Sequence, residues 1–242
     1  PFRRSGPMAL SNGMEPMRAT KSFVSLEDFG RVRLSRHFEM RNFLYTEIGN
    51  FHGRPNLPEN PDLAIAAGTR LAEEILEPLV ETFGPLDIRS GYRSPTLNHF
   101  GATQVKPQKC ARNEANRAHH IWDQRDAKGR MGACVSLAIP WFAAQYNEGR
   151  DWRDLAWWLF DHLAFQEVYF FPRNAAFNIQ WREGEMAHRM LSYIRPKGTL
   201  WKRGLVPDPE RHGRYRDFPP FRGIVYPPLP AAEAGTEGVA TR

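Results

Sequence analysis

The sequence predicts a domain of mixed helix and strand, and three stretches carry that prediction. Residues 60–83 place apolar side chains at helical spacing. Residues 131–140, MGACVSLAIP, form a nearly continuous apolar run. Residues 165–171 and 176–183, FQEVYFF and AFNIQWRE, are strand-like segments split by a Pro-Arg-Asn turn. At 242 residues the chain suits one domain of generous size with tails at its ends.

Taken in order, residues 1–24 read as a flexible N-terminal segment of Pro, Gly, Ser, Asn and Met without periodicity. The chain starts with Pro1, so Met8, Met14 and Met17 are each candidate natural starts. Ser25 with Asp28 resembles a helix-capping pattern, and Phe38, Phe43 and Leu44 would line one face of a short helix. FHGRPNLPENP then reads as a loop. Asn60 suits a helix cap and Pro61 the first helical position. Leu63, Ala67, Leu71, Ile75 and Leu79 follow at helical spacing, and Gly84 marks the stop. Pro78 inside this pattern predicts a kink or break near Glu77.

LDIRS, 86–90, is a short strand that runs into SGYRSPTLN. Residues 99–130 lack apolar period and form a long polar loop, a kind that is usually functional or mobile. The 131–140 run predicts a central strand buried on both faces. DWRDLAWWLFDHL is an amphipathic helix capped by Asp151, with one of Trp157 and Trp158 in the core and the other partly exposed. The domain is expected to span 25–204, followed by a Pro-rich tail, 205–242, that wraps the surface or stays disordered.

Composition narrows the function classes. No apolar run is long enough to cross a bilayer, and the N-terminus lacks the apolar region of a secretory signal. Two cysteines cannot build a disulfide framework; Cys134 reads as a small core residue and Cys110 sits in a polar loop. These features predict a cytoplasmic, reducing setting, with a phage- or wall-associated role as the alternative. Net charge is +6, but arginines are scattered among acids, so neither nucleic acid nor membrane is an expected partner. There is no G-x-S-x-G elbow, P-loop or dinucleotide fingerprint.

The order of these segments resembles the D-Ala-D-Ala carboxypeptidase family of zinc peptidases, which shares the Hedgehog-type fold. The resemblance runs over residues 34–183 and is strongest in LEPLVETFGPLDIRSGYRSPTLN. It implies an α+β fold with helices packed on a mainly antiparallel sheet. It also implies a zinc ion held by His and Asp of S-x-H-x-x-G-x-A-x-D and by a later His, with a Glu as general base. Arg93 matches the family arginine that binds the substrate carbonyl or carboxylate, a task suited to a guanidinium fork. The competing reading of Arg93 is an ion pair with a structural carboxylate.

The metal motif departs from the family pattern. Spacing would match His119 with Asp126. Strand character instead aligns GACVS with G-x-A-x-D, which puts Ser136 at the ligand Asp position; this placement is preferred. Asn178 then stands where the later His is expected. Nearby, His119, His120, Asp123 and Asp126 are the candidate ligands of a rebuilt site for zinc, iron or manganese, and a metal-free loop is the competing reading. The candidate catalytic residues are Arg93 and Glu167. The candidate ligand-binding residues are Ser90, Tyr92, Arg93, Asn98, Ser136 and Asn178. The expected function is a divergent zinc-peptidase-fold protein, its metal site lost or rebuilt, that binds a peptide-like or small carboxylate ligand near Arg93. A working metal-dependent peptidase or amidase and a non-enzymatic, phage-like assembly protein are the alternatives.

Overall fold

Helices pack against an open, mostly antiparallel sheet, an α+β architecture, in the computed structural model, which describes residues 23–224. The helices are α1 (Phe23–Arg31), α2 (Glu47–Phe51), α3 (Pro61–Leu71), α4 (Glu77–Phe83), α5 (Pro95–Thr103), α6 (Asn113–Asn116), α7 (Pro140–Asn147) and α8 (Trp152–His162). The strands are β1 (Asp87–Ser90), β2 (Gly132–Ala138), β3 (Glu167–Phe170), β4 (Phe177–Arg182), β5 (Arg189–Ser192) and β6 (Gly198–Trp201), in spatial order β1-β2-β4-β3-β5-β6. The β3–β5 pair is parallel and the other pairs are antiparallel.

The long helix forms for the reasons its sequence gives. Asn60 Oδ1 accepts from the Leu63 backbone N–H at 3.1 Å, Pro61 opens the first turn, and Gly84 leaves it with φ +81°. The break expected near Glu77 is present. The chain widens into a π turn at Ala72–Leu76, and α4 restarts at Glu77 with Pro78 in its first turn, where a missing N–H costs least. Glu77 is buried and accepts from Ser35 Oγ at 2.6 Å and from the His37 backbone N–H at 2.7 Å, with His37 Nδ1 at 2.6 Å.

Strand alternation sorts the sheet into two faces. Val135 and Leu137 of β2, Val168 and Phe170 of β3, and Phe177, Ile179 and Trp181 of β4 join the core with Ala64, Ala67, Leu71 and Ile75 of the long helix. The opposite face carries Cys134 and Ser136, with Gln180 and Asn178 across from them and Glu167 and Tyr169 one strand further. One apolar and one polar face explain why β2, buried throughout except at Ser136, bears chemistry on a single side.

Several elements differ from the sequence reading. Ser25 lies inside α1 rather than at a cap, and residues 40–43 form a 3-10 turn with Phe38 just before it. LDIRS is a half-exposed strand at the edge of the sheet. The 99–130 stretch is not structureless: the Ser94 hydroxyl caps α5, accepting from the Leu97 N–H at 3.2 Å, and α6 and a series of turns follow. Helix α7 was hidden because the apolar run of β2 flows into Pro140, which starts a helix as readily as it ends a strand. Strands β5 and β6 were also unforeseen.

Both Trp157 and Trp158 are buried, and the chain beyond residue 205 returns over α8 against Trp158. Tyr215 donates to Asp161 at 2.6 Å, Arg211 Nε reaches Asp161 at 2.9 Å, and Phe221 lies edge-on to Trp158. Tyr215 and Phe218 belong to the core. The segment 205–224 is therefore part of the packed domain, while the rest of the expected tail and residues 1–22 lie outside the described residues. Among the described residues no helix is long and apolar enough to cross a membrane.

Candidate functional site

The polar face of the sheet and the turn after β1 build one site. Tyr92 and Arg93 follow β1, and the Arg93 N–H bonds to the His120 carbonyl at 2.8 Å. One further bond, from the Cys134 N–H to the His119 carbonyl at 2.9 Å, lays the His119–His120 segment along β2. Asn56 staples the turn from outside, donating to the carbonyls of Leu44 and Tyr92 and accepting from the Ser94 N–H.

The asparagines that make 99–130 look like a loop form a buried amide network. Asn98 Oδ1 accepts from Arg93 Nη1 at 3.1 Å and from Asn116 Nδ2 at 2.8 Å, while its Nδ2 donates to the Ala111 carbonyl and to Asn113. Asn113 in turn holds the Pro95 carbonyl. This network aims Arg93, whose Nη1 also lies 3.2 Å from Cys110 Sγ and whose Nε is buried without a partner. Among the described residues Arg93 makes no ion pair, so it is not the carboxylate-pinned arginine of the competing reading.

Arg93 opens into a cavity of about 720 Å³, with Ser90 and Ser136 beside it. Arg89, Lys106 and Lys109 line the same cavity and likewise make no ion pair among the described residues. Arg89 reaches it through a β-bulge: Ile88 pairs with Leu137 and Ser90 with Ser136, so Arg89 is the extra residue. Two neighbours in sequence thus face one cavity, which regular alternation forbids. The other wall comes from α2 and the residues flanking it, including Glu47, Phe51 and His52, and Phe171 closes the sheet side.

A second group lies beside the cavity, two residues along β2 from Ser136. His119, His120 and Cys134 offer ligand atoms within 4.8 Å of one another and could hold a metal ion. His120 Nδ1 lies 3.0 Å from the Gly91 carbonyl; donation there leaves Nε2 as the ring's acceptor. His119 Nδ1 is buried and has no partner. Burial, then the charges of Arg182 and Arg93, push His119 down to about 3, so its ring is neutral near pH 7. Burial, with His119 and Arg93 adding to it, also carries His120 well below the ordinary range. Burial pushes the Cys134 thiol well up. Two neutral imidazoles and a thiol form a donor set that suits zinc, which would also favour the thiolate. The positions matched to the family ligands, Ser136 and Asn178, do not supply such donors.

The other expected ligands lie elsewhere. Asp123 is buried, and its Oδ2 accepts from the Glu59 N–H at 2.8 Å, the Tyr92 hydroxyl at 3.0 Å and the Asn60 N–H at 3.4 Å. Burial raises its pKa despite those bonds. Asp126 closes its own turn, accepting from the Lys128 and Arg130 N–H groups and pairing with the Arg130 and Arg182 side chains. Burial works against its ionisation, but the Arg130 bonds win and hold its carboxyl below the ordinary value. Both aspartates are occupied in fixing the loop that carries the histidines.

Among the expected ligand-binding residues, Ser90, Arg93 and Ser136 line the cavity. Tyr92 is fully buried against Asp123, and Asn98 acts through Arg93. Asn178 pairs with Ser136 across β2 and β4 but does not line the cavity. Glu167, a candidate catalytic residue, is ion-paired with Arg189 on the neighbouring strand. Sequence reasoning missed Arg89, Lys106, Lys109 and Cys134. The polar 99–130 stretch was the one signal for the lysines, while the apolar run around Cys134 hid a thiol facing away from the core. No family model matches the sequence, and no curated protein or solved structure matches it.

Proposed function

We propose that this protein is a divergent member of the D-Ala-D-Ala carboxypeptidase, Hedgehog-type group whose metal site has been rebuilt, and that it binds a peptide-like carboxylate ligand in the cavity beside Arg93. One observation carries the reading: Arg89, Arg93, Lys106 and Lys109 line one cavity without a carboxylate partner among the described residues. Cations held close together repel one another, and an anion relieves that repulsion. Arg93 is pre-aimed by Asn98, so little side-chain freedom is lost on binding. Ser90 and Ser136 supply hydroxyls for the amides of a peptide.

Calorimetric titration with N-acetyl-alanyl-alanine and with its C-terminal amide tests this. The free carboxylate should bind about tenfold to a hundredfold more tightly than the amide, the difference made by a charge-assisted hydrogen bond. Arg93→Gln should remove that preference. Equal binding of acid and amide, or binding of neither, would overturn the reading.

A second reading, a metal-dependent peptidase or amidase, is favoured by the His119, His120 and Cys134 group beside Arg93. Zinc fits that donor set better than iron or manganese does, and a bound zinc ion supplies Lewis acidity toward a carbonyl and an acidified water. The chain's own contribution would be Arg93, orienting the carbonyl or carboxylate. Glu167 is not a free general base here, because Arg189 holds it.

A further inference from the structure

Of the aromatic side chains that the fold leaves exposed, Phe51 lines this cavity and Tyr193 packs on Phe171, which lines it too. Among the described residues the exposed aromatics are Tyr45, Phe51 and Tyr193; the other large exposed hydrophobics, Val24, Leu205, Val206 and Ile224, are aliphatic. Phe51 lines the cavity and is 85% exposed, its ring edge-on to His52 at 4.8 Å and otherwise open to a ligand in the cavity. Tyr45 directly precedes Thr46, another lining residue. Tyr193 packs against Phe171 at 5.7 Å and Tyr169 at 4.4 Å between ring centroids, so an aromatic ledge runs outward from the cavity wall that Phe171 forms.

Charge limits what this ledge can hold. A nucleic-acid strand needs a succession of unpaired cations along its phosphates. On the sheet face beyond the cavity, Arg182 is paired with Asp126, Arg189 with Glu167 and Arg203 with Glu185. Inside the cavity Arg89, Arg93, Lys106 and Lys109 share a volume of about 720 Å³, which favours a short anion over a strand. The cavity wall also carries a single carboxylate, Glu47, which suits an amide or amine N–H on the same ligand. An anion, an N–H donor and a planar ring within one small ligand describe an amino-acid-like terminus.

We propose that the ligand is a peptide terminus, or a derivative of one amino acid, that carries an aromatic side chain next to its free carboxylate. The carboxylate lies among Arg89, Arg93 and the two lysines, and the ring meets Phe51 or the Phe171–Tyr193 ledge. This inference rests on the carboxylate-binding function proposed above and adds the ring to it.

The test titrates the protein with N-acetyl-phenylalanine, N-acetyl-alanine, N-acetyl-phenylalaninamide and adenosine monophosphate, and repeats the series with Phe51→Ala and Phe171→Ala. N-acetyl-phenylalanine should bind about fivefold more tightly than N-acetyl-alanine, the effect of one aromatic contact. At least one of the two substitutions should close that gap while binding of N-acetyl-alanine persists. Phe51 is so exposed that its replacement leaves the core untouched, and circular dichroism checks the fold of Phe171→Ala. Equal affinities for the two acids would overturn the ring inference alone and leave carboxylate binding standing. Tighter binding of the monophosphate would overturn the peptide class in favour of a ring-bearing phosphate. Failure of all four probes, or equal binding of acid and amide, would overturn this inference and the carboxylate function together.

Discussion

Removing the Asp123 carboxylate separates a structural pin from a metal ligand, and the structure fixes the size of the effect. Its Oδ2 collects three donors: the Glu59 and Asn60 N–H groups and the Tyr92 hydroxyl. These tie the entrance of α3, the arginine turn and the histidine loop to one atom. In Asp123→Ala the fully buried Tyr92 hydroxyl and the Glu59 N–H lose their acceptor. Each orphaned donor costs about 1–3 kcal/mol. Part is returned, because Asp123 is itself buried, its Oδ1 has no partner, and its pKa is raised. The net loss should be about 2–4 kcal/mol, or roughly 5–15 °C in Tm for a domain of this size. Urea and thermal unfolding of Asp123→Ala, Tyr92→Phe and the double variant measure it. The single losses should fail to add, with a coupling of about 1–2 kcal/mol. A Tm within about 2 °C of wild type, or strict additivity, would refute the pin. Loss of bound metal at unchanged stability would make Asp123 a ligand instead.

Three further outcomes follow from the same contacts. Burial opposes ionisation of Glu77, but the Ser35 and His37 bonds win and hold its pKa below its ordinary 4.5, so its stabilisation is present above that value and fades as pH falls through the folded pKa; Glu77→Gln should flatten the acid limb of a urea-midpoint profile, and an unchanged limb would contradict this. A methyl group on Gly132 would sit 2.5 Å from the Ala118 carbonyl oxygen and 2.9 Å from that of Trp181, backbone atoms that cannot swing aside; Gly132→Ala should lower stability by about 1–3 kcal/mol and disturb the histidine loop, and a neutral result in urea unfolding would show that the loop moves freely. With cobalt(II) in place of zinc, binding to the His119, His120 and Cys134 group should produce a thiolate-to-metal absorption band that strengthens with pH, as Cys134 must lose its proton, and that vanishes in Cys134→Ser; a band that survives the substitution would exclude Cys134 as a ligand.

The sequence by itself determined the local elements whose causes are local. Asn60, Pro61 and Gly84 delimit the long helix, Asp151 caps α8, and the apolar run at 131–140 becomes β2. The β3–β4 pairing follows from alternation and a short connection. Arg93 was legible as a cavity residue because SGYRSPTLN resembles a family motif, while the distant Asn56 and His120 that hold its turn were not. Only the tertiary structure decided which polar groups meet. His119, Asp123 and Asp126 are close in sequence, yet hydrogen bonds draw the aspartates to Glu59, Tyr92 and Arg130, while β2 brings Cys134 to the histidines from beyond the turns at 121–131. A one-residue bulge in β1 turned Arg89 into the cavity, and distant lysines joined it across the α5 loop. Propensity and periodicity act over a few residues, whereas a site is assembled by register and long-range packing, which no single stretch of sequence encodes.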